Sequence, residues 1–288
     1  MTSVETKVKD ELVEAKKHPM DDLLRRDRLP HVWCSGCGLG SILSCFVQAV
    51  AKSGLDTKKI AVVSGIGCTG RASGYINLDV FHTTHGRAIP FAIGLSLANP
   101  DLKVVVFSGD GDLFAIGGNH IIHAARRNAD ITVICANNLI YGMTGGQLAP
   151  TTPTNSWSST SPYGNVETPF NLCHLVYSAG ASYVARWTSL NVRRLQESIE
   201  EALLRPGFSF IEVISACPTT FGRRNEFDTG LKMLRYFNEK TVIKHNIDPK
   251  EVPIVLGQDI VVGKFINKPI QPTLEDRVER VHQKSSPK

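Results

Sequence analysis

An α/β fold, with a mainly parallel sheet flanked by helices, is what this sequence predicts. Three observations carry that expectation. Apolar runs of strand length, such as KVVVFSG and ITVICAN, recur along the chain. Segments with helical spacing lie between them. The two alternate, which is the pattern of βαβ units and hence of parallel strands.

The elements follow in order. Residues 1–30 are charged, with helical spacing in VKDELVEAKK, and read as an N-terminal arm. Residues 41–52 (SILSCFVQAVAK) read as a helix capped by Ser41. A buried strand is expected at 58–65, a core helix at 86–99, a strand at 103–110, a helix at 116–128 and a strand at 130–138. Residues 139–168 are rich in Gly, Pro, Ser and Thr, and a loop of that length is usually functional or a lid. A helix near 169–178, a strand at 182–187, a helix at 189–204 and a strand at 208–214 complete an α/β domain spanning 31–217. Residues 218–288 have weak periodicity and read as a C-terminal extension packed on the body or on a partner. There are no internal repeats.

Composition narrows the class. The chain has 288 residues, 42% hydrophobic and 20% charged, which suits a globular protein with a sizeable core. Its apolar runs fall far short of the ~20 residues a membrane span needs. The N-terminal segment lacks the apolar core of a signal peptide, so a cytoplasmic location is expected. The net charge is +5, with scattered pairs such as Arg25-Arg26, Arg126-Arg127, Arg193-Arg194 and Arg223-Arg224. A nucleic-acid binder would show a denser stripe. Solvated surface pairs are the plain reading, and an acidic protein partner the second. Seven cysteines in such a chain argue for metal or core roles rather than disulfides.

The most specific stretch is GDGDLFAIGGNHIIHAARRNADITVICANN, Gly109 to Asn138. It runs from one strand end across a helix to the next strand end. Parallel pairing delivers both ends to one edge of the sheet, so Asp110 and Asn138 meet. Both offer hard oxygen ligands suited to Mg²⁺, which completes its shell with phosphate and water. Gly111 lets the backbone approach a diphosphate, and the following helix N-terminus favours its charge. A plain glycine turn is the bland alternative. An EF-hand reading of Asp110 and Asp112 fails, because Phe114 stands where the next ligand belongs.

Four cysteines lie beside Gly or Pro in expected loops: Cys34 and Cys37 in WCSGCG, Cys68 in GIGCTG, and Cys217 before Pro218. Cys45, Cys135 and Cys173 fall in apolar elements and read as inert core. Four loop thiolates suit a [4Fe–4S] cluster or a structural zinc, and spacing alone leaves both open. GIGCTG is also a literal GxGxxG. A dinucleotide site needs an acidic residue about 20 positions on, at the next strand's end. Asp79 comes too early and reads as loop, so the glycines are taken as a turn wrapping a bound group.

The GDG…NN stretch resembles the diphosphate motif of thiamine-dependent enzymes. Its continuation, GGNHIIHAARRN and YGMTGGQLAPTTP, resembles the β subunits of 2-oxoacid:ferredoxin oxidoreductases over roughly residues 30–240. The resemblance implies a thiamine-diphosphate-binding fold, here the pyrophosphate-binding domain. It implies Mg²⁺ on Asp110, Asn138 and the Ile140 carbonyl. Further cofactor contacts are implied at Gly67, Cys68, His85, Gly109, Gly111, Asp112, Gly142, Met143 and Thr144. It assigns one [4Fe–4S] cluster to Cys34, Cys37, Cys68 and Cys217. Arg71 would face a substrate carboxylate, with a surface or phosphate contact as the alternative. Met143 would line the acyl pocket, and His85 would touch the cofactor, whereas His120 and His123 read as packed helix residues.

The implied reaction is CoA-dependent oxidative decarboxylation of 2-oxoglutarate to succinyl-CoA and CO₂, reversible in principle. The implied partners are an α subunit, in an α2β2 heterotetramer, and a ferredoxin that accepts the electrons. The chain lacks the repeated CxxCxxC of a built-in ferredoxin domain, so the acceptor should be a separate protein. Pyruvate is the competing substrate. A non-oxidative thiamine decarboxylase would share GDG…NN without needing four loop cysteines. A zinc-stabilised assembly subunit would need the cysteines but not Asp110 and Asn138.

Overall fold

The structure, a computed structural model, describes residues 18–285. The helical spacing expected at residues 8–17 lies outside them. The described residues build one sheet of strands β1 (Ile60–Ser64), β2 (Asp79–His82), β3 (Lys103–Gly109), β4 (Ile131–Asn137), β5 (Tyr183–Thr188), β6 (Ser209–Ile214), β7 (Thr241–Ile243) and β8 (Ile260–Asn267). Their order is β2-β1-β3-β4-β6-β5-β8-β7. Pairing is parallel from β2 through β5. β8 runs antiparallel to β5, and β7 pairs parallel with β8.

Helices cover both faces, which is why the central strands read as continuous apolar runs: every residue of β4 is buried. Helices Leu39–Ser53 and Val192–Leu204 close one core, with Phe46 against Phe107. Helices Ala88–Ala98, Gly118–Arg127 and Leu172–Ser178 close the other, with Phe114 against Phe210. Among the described residues no helix is long and apolar enough to cross a membrane.

Several expectations are corrected. The first helix begins at Leu39 with Gly38 as N-cap, not at Ser41. A Cβ on Gly38 would lie 2.5 Å from Ser189 Oγ and 2.7 Å from Ser215 Oγ, so the chain enters its helix pressed against that wall. Asp79 opens strand β2 and is not in a loop. It sits at the strand's amino end, paired with Ala61, so it cannot serve the carboxyl edge where a dinucleotide ribose would need it. The helix expected over 116–128 begins with a π-turn, Asp112–Ile116, before Gly118–Arg127. Residues 218–288 carry two strands of the same sheet, beyond the weak periodicity read from sequence, because β8 alternates buried and half-buried positions.

A buried ion pair joins this last segment to the centre. Arg186 on β5 and Glu212 on β6 are fully buried and meet at 2.7 Å. Arg186 Nη1 donates to the Val252 carbonyl at 2.6 Å, and Asn137 Nδ2 donates to Glu212 Oε1 at 2.7 Å.

Candidate functional site

In a parallel sheet the strand carboxyl ends share one edge. β1 lies where the strand order reverses, since β2 and β3 flank it on opposite sides. A crevice opens at such a point. Every position that the sequence reading assigns to the cofactor lines one cavity of about 200 Å³ there. Gly67 and Cys68 come from the connection after β1, Gly109 to Asp112 from the end of β3, and Asn138 and Ile140 to Thr144 from the connection after β4, with His85 alongside.

Asp110 and Asn138 each follow a strand end directly, and those strands pair with Gly109 opposite Ala136. Asp110 is buried, and loss of water pushes its carboxyl up to about 7, against the hydrogen bonds from Thr151 and the Gly111 backbone. The Asn138 amide donates its NH₂ to Asp110 Oδ1 at 3.2 Å and to the Ile140 carbonyl at 2.7 Å. Rotating that amide by half a turn would bring its oxygen beside the other two, the hard-oxygen set that a small divalent cation takes. Leu139 makes it possible: its φ of 65° folds the Ile140 carbonyl back towards Asn138. The turn is held by Asn137, whose Oδ1 accepts from Leu139 N at 3.1 Å.

Asp112 lines the cavity, but its carboxylate is engaged by the protein. Oδ1 receives the Gly86 N–H at 2.8 Å and the Ile66 N–H at 3.1 Å, and lies 2.6 Å from His85 Nδ1. Oδ2 accepts from Ser108 Oγ at 2.8 Å. Asp112 therefore clamps the 65–70 turn and the THGR turn onto β3. Gly65 must be glycine, since a Cβ there would fall 1.9 Å from Asp112 Oδ2. Gly111 must also be glycine, because a Cβ would strike the Tyr141 ring at 2.3 Å.

The four loop cysteines gather beside this cavity. A Cβ on Gly142 would lie 3.4 Å from Cys68 Sγ and 3.5 Å from Cys217 Sγ. Burial raises the Cys37 thiol to about 12, and the nearby sulfurs of Cys217, Cys68 and Cys34 add to it. Burial likewise raises Cys68 to about 11, with Cys217 and Cys34 contributing. Trp33 Nε1 donates to the Cys68 carbonyl at 2.8 Å and ties the WCSGCG turn to GIGCTG. Cys34 is exposed, the other three are half-buried, and Cys45, Cys135 and Cys173 are buried in the core. Among the described residues no three His, Cys, Asp or Glu side chains close to the spacing of a single metal ion. Four thiols gathered beside one loop are a soft donor set of the kind that an iron–sulfur cluster or a zinc ion takes.

Arg71 is not part of the cofactor-cavity lining. The short 3₁₀ turn Thr69–Gly74 carries it into a second cavity, of about 410 Å³, beside Arg25, Arg28 and His82. Met143 is half exposed at the mouth of the first. His120 is half-buried and His123 exposed, so neither is packed as expected. Sequence reasoning missed Ile66, Thr69 and Tyr141 in the lining, and Thr151 behind Asp110. Only the paired threonines before Pro153 hinted at the last.

The C-terminal thiamine-pyrophosphate-binding domain of thiamine pyrophosphate enzymes matches residues 65–213. A relative from Methanothermobacter thermautotrophicus, 2-oxoglutarate synthase subunit KorB, is 53% identical, with 92% of each chain covered. A 2-oxoacid:ferredoxin oxidoreductase subunit beta from Saccharolobus solfataricus is 42% identical over 77% of this chain and 71% of that one. Among solved structures, a 2-oxoglutarate:ferredoxin oxidoreductase from Magnetococcus marinus, with 2-oxoglutarate, coenzyme A and succinyl-CoA bound, superposes with a TM-score of 0.82 at 32% identity, covering 94% of this chain and 92% of that one.

Proposed function

The chain belongs to the β subunits of the thiamine-dependent 2-oxoacid:ferredoxin oxidoreductases, and on that footing we propose that it serves the 2-oxoglutarate reaction. That reaction takes 2-oxoglutarate, CoA and two oxidised ferredoxins to succinyl-CoA, CO₂, two reduced ferredoxins and a proton. The observation that carries the reading is the adjacency of two sites: Cys68 lines the oxygen-rich cavity and also stands with Cys217 against Gly142.

Thiamine diphosphate, when bound, supplies a nucleophilic carbon and an electron sink for decarboxylation. Asp110, Asn138 and the Ile140 carbonyl would hold Mg²⁺ against its diphosphate. Thr151 and Asn137 orient those ligands. Asp112 holds the His85 and Ile66 turns, which line the cavity. Met143 at the mouth suits an apolar acyl chain. A [4Fe–4S] cluster on Cys34, Cys37, Cys68 and Cys217 would supply one-electron transfer beside the cofactor. A ferredoxin would then reach it from the side where Cys34 is exposed.

The likeness to a 2-oxoglutarate synthase subunit supports a dicarboxylic substrate. Arg71, in the neighbouring turn, would offer its distal carboxylate a guanidinium fork that pyruvate has no group to meet. An α subunit, in an α2β2 assembly, would complete the site. The test is ferredoxin reduction by the anaerobically purified α–β complex, with 2-oxoglutarate or pyruvate, with and without CoA. CoA-dependent reduction with 2-oxoglutarate at least ten times better than with pyruvate is expected. Equal or better use of pyruvate overturns the substrate assignment.

A further inference from the structure

We propose that Thr220 sets the reduction potential of the cluster site by donating its hydroxyl hydrogen to the sulfur of Cys217; this rests on the cluster assignment above. Thr220 Oγ1 lies 2.8 Å from Cys217 Sγ. A ligating cysteine is a thiolate and has no hydrogen to give, so in the loaded protein the threonine must be the donor. Among the described residues no side chain is hydrogen-bonded to the sulfur of Cys34, Cys37 or Cys68, though the Leu39 backbone is to Cys37.

The geometry is held from several sides. Residues Pro218–Gly222 form a π-turn, closed by the Gly222 N–H on the Cys217 carbonyl at 2.9 Å. Arg224 Nη1 donates to the Thr220 carbonyl at 3.1 Å, and Nη2 to the Gly145 carbonyl at 3.2 Å. Arg224 thus pins Thr220 to the loop that also carries Gly142 and Met143. The hydroxyl is presented by a constrained backbone rather than by a free rotor on the surface.

The electrical consequence follows from charge. Accepting one electron makes a cluster and its thiolates more negative by one unit. A hydrogen bond to a ligand sulfur stabilises that state more than the oxidised one and so raises the potential. Cys217 Sγ, like Cys68 Sγ, lies within 3.5 Å of a Cβ built on Gly142, a residue of the cofactor-cavity lining. The donor therefore acts on a sulfur one residue removed from that cavity. Thr220 is a positioning and tuning residue; it touches neither cofactor nor substrate.

The experiment is a redox titration, followed by electron paramagnetic resonance, of the α–β complex carrying Thr220→Val, Thr220→Ala or Thr220→Ser. Valine keeps the shape and removes the donor; alanine does so without bulk, should valine disturb the turn. Both should lower the ratio of reduced to oxidised cluster at a fixed ambient potential by about tenfold, which is about 59 mV for a one-electron couple. Serine should restore the wild-type value. Unchanged potentials in the valine and alanine variants overturn the proposal. So does a shift that serine fails to reverse, since that marks a packing effect. Absence of iron and of the signal from the wild-type complex is a different failure: it sinks the cluster assignment itself.

Discussion

The Asn138 amide meets Asp110 Oδ1 at 3.2 Å and donates to it, at the carboxyl ends of two adjacent parallel strands. The same NH₂ donates to the Ile140 carbonyl. A divalent cation would turn that amide so that its oxygen joins the other two as ligands. Asp110→Asn and Asn138→Ala should each weaken Mg²⁺-dependent binding of thiamine diphosphate by roughly ten- to a hundred-fold, the scale of a lost interaction with a charged group, about 1.5–3 kcal/mol. Removing Mg²⁺ with a chelator should do the same to the wild type. Calorimetry reads all three, and undiminished binding in the two variants would rule out this metal site.

Cys34, Cys37, Cys68 and Cys217 differ from the other cysteines in place as well as in sequence context. Serine at any of the four should abolish the visible absorbance of an iron–thiolate cluster, and ferredoxin reduction with it. Serine at Cys45, Cys135 or Cys173 should leave the spectrum intact. Stoichiometric zinc without iron, after anaerobic preparation, would reject the cluster.

Arg71 shares its cavity with Arg25 and Arg28 rather than with the cofactor. Arg71→Ala should raise KM for 2-oxoglutarate by roughly ten- to a hundred-fold, as for a lost charge-assisted pair, and affect pyruvate far less. Equal losses on both substrates would assign Arg71 to a group they share.

Breaking the Arg186–Glu212 pair should test stability rather than chemistry. Arg186→Met leaves Glu212 buried and uncompensated. A loss of about 3–5 kcal/mol is expected, read from the urea midpoint. Because Glu212 also holds Asn137, next to Asn138, cofactor binding should weaken along with it. A stable variant with normal cofactor binding would mean that the pair supports neither.

The isolated chain should be inactive. Ylid formation in thiamine enzymes needs a glutamate at the pyrimidine ring, and no glutamate lines the cofactor cavity. Glu212, the most central, is tied to Arg186 and Asn137. Adding an α subunit should restore decarboxylation. Steady 2-oxoacid-dependent electron transfer by this chain alone would refute the shared-site reading.

By itself the sequence determined the parallel α/β fold and the meeting of Asp110 with Asn138. Both follow from local pattern: strands that alternate with helices put every strand's carboxyl end on one edge, whatever the rest of the chain does. The GDG…NN stretch was legible because it is one contiguous βαβ unit. The division of the cysteines was legible too, since burial tracks the apolarity of the element that holds each one. Tertiary structure decided the rest. Asp112 reads as a cofactor ligand until Ile66, Ser108, His85 and Gly86, from three separate segments, are seen to occupy its carboxylate. Arg71 reads as a neighbour of Cys68 until a 3₁₀ turn sends it towards Arg25 and Arg28, more than forty positions earlier. Strand β8 and the Arg186–Glu212 pair likewise join segments far apart in the chain. Spacing fixes where a backbone arrives; which groups a side chain meets depends on packing between distant segments, and no local periodicity encodes that.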